Sequence, residues 1–342
     1  MRKQFLLSLI VCLLGLQGCV PRSEHEVVVY CSTDRQYASP ILDAFERTKE
    51  GVDVASQFDV ESSKTLGLVT RLIQEREQTR CDLFWSGEVL HTIRLQRAGL
   101  LQRRNWRLPN DWPKGFAATD GSWVGLGARA RVLLVNRDKL ANESEWPKSV
   151  SELADEKWKG KCAIAKPLYG TTATHIAVLA DRDLDSSAKY VSFDDWLEKV
   201  KANALVLSGN KQVAQAVASG EIEWGLTDTD DAEIEIFNGF PVSIIFPDQG
   251  INDCGVLLIP GTVAVLKNGP HPVAANALAS YLASQKTESR LTLGNAAQFA
   301  LWPGNEKSLA NSTQKIKLMQ VDFEKAADGW EVLFRQLQRI FP

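Results

Sequence analysis

The densest group of chemically active side chains is the stretch TDTDD, which runs from Thr227 to Asp231. It follows a short apolar run and opens an amphipathic segment, so it stands at the start of a helix. Aspartate and threonine cap helices and complement the helix dipole, but a single capping residue is enough for that purpose. The stretch therefore predicts two roles. Asp228 or Thr229 caps the helix, while Thr227 and Asp230, with Thr229 as a further candidate, face a ligand.

Two other helix starts carry hydroxyl and amide groups, in LYGTTATH (168–175) and in SGNKQ (208–212). Free backbone N–H groups and the positive end of the dipole make a helix N-terminus a ready site for an anion. Thr171, Thr172 and Asn210 supply side-chain donors at these two places. Plain capping by Thr171 explains the first helix start equally well, so the pair of starts carries the anion hypothesis.

Polar residues also follow the apolar runs of the first part of the chain. Asp34, Ser63 and Glu88 each come shortly after such a run, and Arg129 lies on a later extended segment. We expect these four residues to face the same ligand, because ligands of open α/β sheets bind beyond the carboxyl ends of the strands.

The elements that position these residues alternate between strand and helix. VVVYCS, DVASQF and CDLFWS are short buried strands, each followed by a helical pattern, and a second series begins at GKCAIAKP. Two extended segments, 129–136 and 255–267, connect the series. This order predicts an α/β fold with two lobes, each a mainly parallel sheet flanked by helices, joined by two extended crossing segments. We place lobe 1 at 20–126 plus 264–342 and lobe 2 at 127–263.

The bulk properties narrow the function classes. The 342 residues carry a net charge of −3, whereas nucleic-acid binding usually needs a basic excess. GxSxG, HExxH, P-loop and Rossmann motifs are all absent from the sequence, so no catalytic residues and no required cofactor are predicted. Cys31, Cys81, Cys162 and Cys254 are expected to be buried apolar residues or to form one disulfide, whose pairing the sequence leaves open.

The first 19 residues have the pattern of an export signal. Arg2 and Lys3 precede an apolar run, and LQGC ends at Cys19. LQGC looks like a lipobox, which predicts lipidation of Cys19 and a protein held at a membrane by lipid, in the periplasm or at the cell surface. Ordinary signal cleavage and a retained anchor remain alternatives.

The chain resembles the solute-binding proteins of ABC importers, in the group that contains periplasmic ferric-iron-binding proteins. The segments that carry the resemblance are CDLFWSGEVLHTIRLQRAGLL, GARARVLLVN, WKGKCAIAKPLYGTTATH, QAVASGEIEWGLTDTDDA and LIPGTVAVLKNGPHPVAA. The resemblance implies a monomer without catalytic activity that closes on a solute and delivers it to a permease and its ATPase.

Within that group, iron is typically held by a first-loop residue, a glutamate, a tyrosine pair and a synergistic anion. These positions fall on Asp34, on Gly87 or Glu88, and on Thr229 with Asp230; the anion positions fall on Thr171 or Thr172, Asn210 and Thr227. The tyrosine pair is missing. Asp34, Glu88 and Asp230 still offer oxygen ligands for ferric iron or another hard cation.

Alternatives to iron stay open at this point. The retained anion positions would also suit a small phosphonate or phosphorylated organic solute, which some relatives of the family take up. A ligand sensor and a two-lobed enzyme are further alternatives.

Overall fold

The computed structural model describes residues 25–48, 52–59, 65–182, 192–305, 307 and 316–342. Cys19, Ser63 and the predicted signal segment 1–19 lie outside the described residues. Within the described part, nine strands form one sheet in the order β2-β1-β3-β9-β4-β7-β5-β6, with β8 also paired to β4. The strands are β1 (Glu26–Cys31), β2 (Asp53–Phe58), β3 (Leu83–Ser86), β4 (Trp123–Asn136), β5 (Cys162–Ala165), β6 (Leu205–Leu207), β7 (Trp224–Asp228), β8 (Val242–Ile245) and β9 (Leu258–Val265).

The sheet has two parallel halves. Strand β1 pairs in parallel with β2 and β3, and β5 pairs in parallel with β6 and β7. Between them, β4 and β9 run antiparallel to each other and to their neighbours. The first part of β4 pairs with β9 and its second part pairs with β7 and β8. The prediction of two mainly parallel lobes joined by two extended crossings is confirmed, and its exact boundaries stay a prediction.

The crossing strand β4 contains an irregularity at its bend. Its register with β9 shifts between Leu126 and Ala128, and Gly127 has a φ of +63°. An added Cβ at Gly127 would lie 2.6 Å from the Cβ of Ala297, so only glycine fits this left-handed position without strain. The buried carboxylate of Glu288 accepts hydrogen bonds from the backbone N–H groups of Gly127 and Leu301, both at 2.9 Å.

Helices cover both faces of the sheet. They are α1 (Arg35–Glu46), α2 (Leu66–Gln74), α3 (Leu90–Arg97), α4 (Gly170–Arg182), α5 (Phe193–Asn203), α6 (Asn210–Ala218), α7 (Thr229–Phe237), α8 (Pro272–Leu282), α9 (Gln285–Leu293), α10 (Phe323–Ala326) and α11 (Trp330–Ile340), with three short 3₁₀ helices between Glu143 and Trp158.

Some helix boundaries differ from those that the sequence indicates. The spacing of Ile41, Leu42 and Phe45 predicts a helix from about Ser39 to Thr48. The observed α1 begins four residues earlier, at Arg35, and contains Pro40. The single C-terminal helix predicted over 322–339 is two helices, α10 and α11, separated by a turn. Helices α5 and α9 were not predicted, although each has a serine N-cap: Ser192 accepts from the N–H of Asp195, and Ser284 from that of Thr287.

The C-terminal helix α11 contacts both lobes. Its Leu337 is fully buried in the same apolar cluster as Trp196 and Val200 of α5. On the other side of α11, Glu331 forms an ion pair with Arg94 of α3 at 2.7 Å. The ring of Trp330 packs edge-on against the ring of His91, a buried residue that also lies on α3.

The four cysteines of the described part are unpaired thiols. Cys31, Cys81 and Cys162 are buried and Cys254 is partly buried, so they act as small apolar residues. Among the described residues, no helix combines the length and the apolar character needed to cross a membrane.

Candidate functional site

A cavity lies beyond the carboxyl ends of β1, β3, β5, β6 and β7, between the two lobes. It leaves about 60 Å³ of space, whereas sites for small organic ligands usually measure roughly 300–1,000 Å³. The predicted site residues that line it are Asp34, Glu88, Arg129, Thr171, Thr172, Asn210 and Asp230. The two helix starts that the sequence singles out, those of α4 and α6, therefore meet at this cavity.

The first of two arginine–aspartate pairs bridges the lobes. Arg129 Nη1 donates to Asp230 Oδ2 at 2.8 Å, and Arg129 Nη2 donates to the carbonyl of Gly87 at 2.5 Å. Asp230 is only 3% exposed, and its Oδ1 atom is buried without a hydrogen-bond partner. An unpartnered carboxylate oxygen in the interior is costly, so Asp230 Oδ1 is the first candidate to contact a bound cation.

The second pair lies two residues further along β4, where the register places Arg131 opposite Asp228. Arg131 Nη1 donates to Asp228 Oδ1 at 2.6 Å. Asp228 Oδ2 accepts from Thr171 Oγ1 at 2.6 Å and from Asn210 Nδ2 at 3.0 Å. Asp228 occupies the N-cap position of α7, but its side chain makes no capping bond, because these three donors hold its carboxylate instead.

The pKa values of the two aspartates shift in opposite directions. Burial raises the pKa of Asp230, and the negative charge of Asp228 adds to the rise, which the Arg129 charge only partly offsets. Burial would also raise the pKa of Asp228, but the charges of Arg131 and Arg129 outweigh it and leave that pKa lowered. Asp228 is therefore a fixed anion, while the charge of Asp230 is not fully neutralised by its partner.

Tyr37 is a cavity residue that the sequence reasoning missed. It lies on α1, one turn after Asp34, and lines the cavity about half buried. Burial raises the pKa of Tyr37, and the nearby charges of Asp230, Asp34 and Asp231 raise it further. Positions three apart lie on the same side of a helix, and this spacing from Asp34 is the signal that could have identified Tyr37.

Glu88 lines the cavity, but its carboxylate is already engaged. Glu88 Oε1 lies 3.0 Å from His91 Nδ1, and Oε2 accepts from Thr174 Oγ1 at 2.7 Å. The second of these bonds joins the loop after β3 to helix α4, across the two lobes. Glu88 is thus placed to hold the lobes together, and the expectation that it ligates a cation stays a prediction.

Thr227 and Thr229 do not reach the cavity. The hydroxyl of Thr227 donates to the carbonyl of Asn210 at 3.0 Å. That of Thr229 donates to Gln298 Oε1 at 2.7 Å and accepts from the N–H of Ala130. Both side chains tie β7 and α7 to neighbouring segments, so the expectation that they face a ligand gives way to a structural role.

Three carboxylates come together at the start of α7. Oxygens of Asp228, Asp230 and Asp231 all lie within 4.8 Å of one another. Carboxylate oxygens suit hard cations. With Tyr37 and Asp34 on the opposite wall, the cavity offers an oxygen-rich, mainly acidic set of ligand groups.

Comparisons with known proteins agree with this geometry. The family of bacterial extracellular solute-binding proteins matches residues 27–292. The chain is 27% identical over 254 residues to iron uptake protein A2 of Synechocystis, covering 69% of each chain. A ferric binding protein from Campylobacter jejuni has the same fold, with a TM-score of 0.78, 20% identity and coverage of 92% of this chain and 99% of that one.

The same fold also accommodates other solutes. The periplasmic binding protein AfuA from Actinobacillus pleuropneumoniae, solved with exogenous fructose 6-phosphate bound, matches with a TM-score of 0.74 at 20% identity, over 92% of this chain and 98% of that one. The fold alone therefore leaves the ligand open, as is usual for widely used folds. The resemblance seen in the sequence is nevertheless confirmed: this chain belongs to the family of bacterial extracellular solute-binding proteins.

Proposed function

We propose that the protein captures ferric iron in the interlobe cavity and delivers it to an ABC permease in the membrane. The observation that carries this proposal is the buried, unpartnered Oδ1 of Asp230, on a residue that lines a small cavity. Asp230 also belongs to a group of three carboxylates, with Asp228 and Asp231, that have oxygens within 4.8 Å of one another. A cation that accepts electron pairs from these oxygens would relieve both the missing hydrogen bond and the unneutralised charge.

The chemistry of the ligand groups favours a hard cation. Asp230 from the second lobe lines the same cavity as Asp34 and Tyr37 from the first, so a cation between them would join the lobes. A phenolate oxygen is a hard ligand that prefers ferric iron, and Tyr37 supplies the phenol that the TDTDD stretch lacks. Iron uptake protein A2 and the Campylobacter ferric binding protein support the same assignment by their names.

The size of the cavity favours an ion over an organic solute. About 60 Å³ accommodates an ion with a few ligand atoms but is several times smaller than a site for a phosphorylated organic molecule. The donors expected to hold a phosphoryl group, Thr171 and Asn210, already contact Asp228.

The proposed cycle begins with an open cleft, in which the ligand groups of the two lobes are apart. Iron binding brings Asp34 and Tyr37 towards Asp230, and the Glu88–Thr174 hydrogen bond forms as the lobes close. The closed protein then docks on the permease. Lipidation at Cys19 would hold the protein near that permease, in the periplasm or at the cell surface, and we expect it to act as a monomer.

Ferric titration of the purified protein tests this function. Iron supplied as ferric nitrilotriacetate should bind at one ion per chain with visible charge-transfer absorption. The Asp230→Ala variant should bind at least about 100-fold more weakly, because it loses a carboxylate that would contact the iron directly. Its melting temperature should change little, because the substitution also removes a buried oxygen that has no hydrogen-bond partner.

The matched control is Asp138→Ala, an exposed aspartate outside the cavity, which should bind iron as the wild type does. Mass spectrometry of gently purified protein provides the opposing result. A co-purified phosphorylated or phosphonate compound, with no iron bound on titration, would reject the proposal in favour of an organic solute.

A further inference from the structure

The donor groups at the starts of α4 and α6 form a closed network around Asp228. Thr171 Oγ1 and Asn210 Nδ2 both donate to its Oδ2, and Asn210 Nδ2 also donates to Thr171 Oγ1 at 2.8 Å. Thr172 Oγ1 in turn donates to Asn210 Oδ1 at 3.0 Å. The side chains of Thr171, Thr172 and Asn210 therefore all have hydrogen-bond partners within the chain.

Arg131 supplies the positive charge of this network. Its side chain is fully buried, and each of its three nitrogens has a partner: Asp228 at 2.6 Å, Thr172 at 3.2 Å and His175 Nδ1 at 3.4 Å. Burial and the Arg131 charge hold the pKa of His175 well below its ordinary value, so the imidazole is neutral. The network is therefore one buried cation compensated by one buried anion.

An external anion would disturb this balance. Phosphate or carbonate placed against Thr171 and Asn210 would meet the fixed negative charge of Asp228 and would compete with it for the same hydrogen-bond donors. Two anions side by side in a buried site repel strongly. Two cationic residues line the cavity, and both are already engaged. Arg129 donates to Asp230 and to the carbonyl of Gly87, and Lys166 Nζ donates a hydrogen bond to an oxygen of Pro342 at 2.6 Å.

We propose that Asp228 is a built-in counter-anion, a carboxylate of the chain that takes the place of an external anion in the iron site. This inference rests on the proposed function and specifies it further: the protein binds ferric iron without phosphate, carbonate or citrate as a partner ligand. The sequence predicts that Thr171 and Asn210 donate hydrogen bonds to a bound anion. In the structure they donate to the carboxylate of Asp228 instead.

The wild-type protein gives the first test. Ferric affinity, measured by competition with nitrilotriacetate at fixed pH, should change less than about threefold when phosphate or bicarbonate is added. An increase of tenfold or more with either anion, or one bound anion per iron in the isolated complex, would overturn the proposal.

Substitution of Asp228 gives the second test, which needs no iron. In Asp228→Ala the vacated space and the unpaired Arg131 should bind inorganic phosphate or acetate, seen by calorimetry and as a rise in melting temperature of several degrees. The wild-type apoprotein should show neither effect. Asp228→Asn is the control, because its amide fills the space while removing the charge, and it should bind these anions at least tenfold more weakly than the alanine variant.

The two tests separate the inference from the function on which it rests. Failure to bind iron under any condition would reject the iron proposal, while the apoprotein titrations would still report on Asp228. Phosphate binding by the wild-type apoprotein that is lost in Asn210→Ala would show that the donor network is open to external anions, and would reject the counter-anion. If Asp228→Ala does not fold, the wild-type measurements alone decide.

Discussion

Two arginine–aspartate pairs stand two residues apart on the same strand and serve different ends. Arg131 and Asp228 are 0% and 3% exposed, and three donors satisfy the carboxylate. The side chains of Arg129 and Asp230 are 19% and 5% exposed, and one oxygen of the Asp230 carboxylate has no hydrogen-bond partner. The inner pair is complete by itself, whereas the outer pair is complete only with a ligand.

The difference follows from geometry rather than from residue type. Two neighbouring helix starts deliver hydroxyl and amide donors to Asp228, while Asp230 already lies within the first turn of α7 and points to the cleft. Arg129 also divides its donors between Asp230 and the Gly87 carbonyl across the lobes. A satisfied carboxylate gives structure, and an unsatisfied one beside it gives an affinity for cations.

The largest expected effect is on the inner pair. Arg131→Met should lower the free energy of unfolding by about 3–5 kcal/mol, since it leaves the buried charge of Asp228 without its partner. Arg129→Met should cost less, about 1–3 kcal/mol, because the raised pKa of Asp230 lets that carboxyl group take up a proton when its partner is removed. Urea denaturation of both variants measures the contrast, and equal losses would contradict the distinction between the pairs.

A smaller effect is expected at Tyr37, on the ligand side of the outer pair. Tyr37→Phe should weaken ferric binding about tenfold and abolish the visible absorption, because it removes the phenolate but keeps the ring. Tyr169→Phe, at another tyrosine that lines the cavity, is the matched control and should keep the colour. Loss of colour only in the control variant would assign the phenolate to Tyr169 instead.

A contact between the lobes that involves neither pair should matter less. Thr174→Val removes the hydroxyl that donates to Glu88, and a single hydrogen bond contributes about 1 kcal/mol. Ferric affinity should therefore fall only about fivefold, through a shift towards the open form. Small-angle scattering of the iron-loaded variant would register that shift; an unchanged affinity would show that this bond does not contribute to closure.

The smallest expected effect is on the pH dependence of the apoprotein. Because the pKa of Asp228 is lowered in the folded protein, its carboxylate stabilises the fold at pH values above the unfolded-state pKa of about 4. This stabilisation is lost as the pH falls through the folded-state pKa. The raised pKa of Asp230 works in the opposite sense, so its contribution is present at low pH and is lost as pH rises through the higher folded value. As pH rises from the unfolded-state pKa of Asp230 to its higher folded-state pKa, the Asp230→Asn variant should therefore lose less stability than the wild type. Thermal melts at several pH values measure this difference.

The alternation of apolar runs and helical patterns was enough to predict the lobes and the meeting of Thr171 with Asn210. Parallel strands followed by helices leave their loops at one edge of the sheet, whatever the side chains. The pairing of Arg131 with Asp228 was beyond such reasoning, because it depends on the antiparallel register of β4 with β7. These strands lie about ninety positions apart in the sequence, and no short turn fixes their alignment.

Tyr37 was missed for a related reason. The helix was expected to begin at Ser39, and this placed Tyr37 in a loop of undetermined direction. Because α1 begins at Arg35, Tyr37 instead projects from its first turn beside Asp34. A difference of four residues in one helix start thus hid a residue that lines the cavity.

The bend in β4 has a mechanical consequence. Gly127 lies at the register shift in the pairing of β4 with β9, four residues before the pairing of β4 with β7 begins at Arg131. The carboxylate of Glu288 on α9 accepts hydrogen bonds from the N–H of Gly127 and from those of Leu301 and Trp302. If the lobes rotate on binding a solute, we expect the rotation to centre on this glycine, because its N–H is held by Glu288 while its backbone lacks a Cβ that would restrict it. The two lobes would then rotate about a single axis, so every molecule without a bound ion would open to the same conformation.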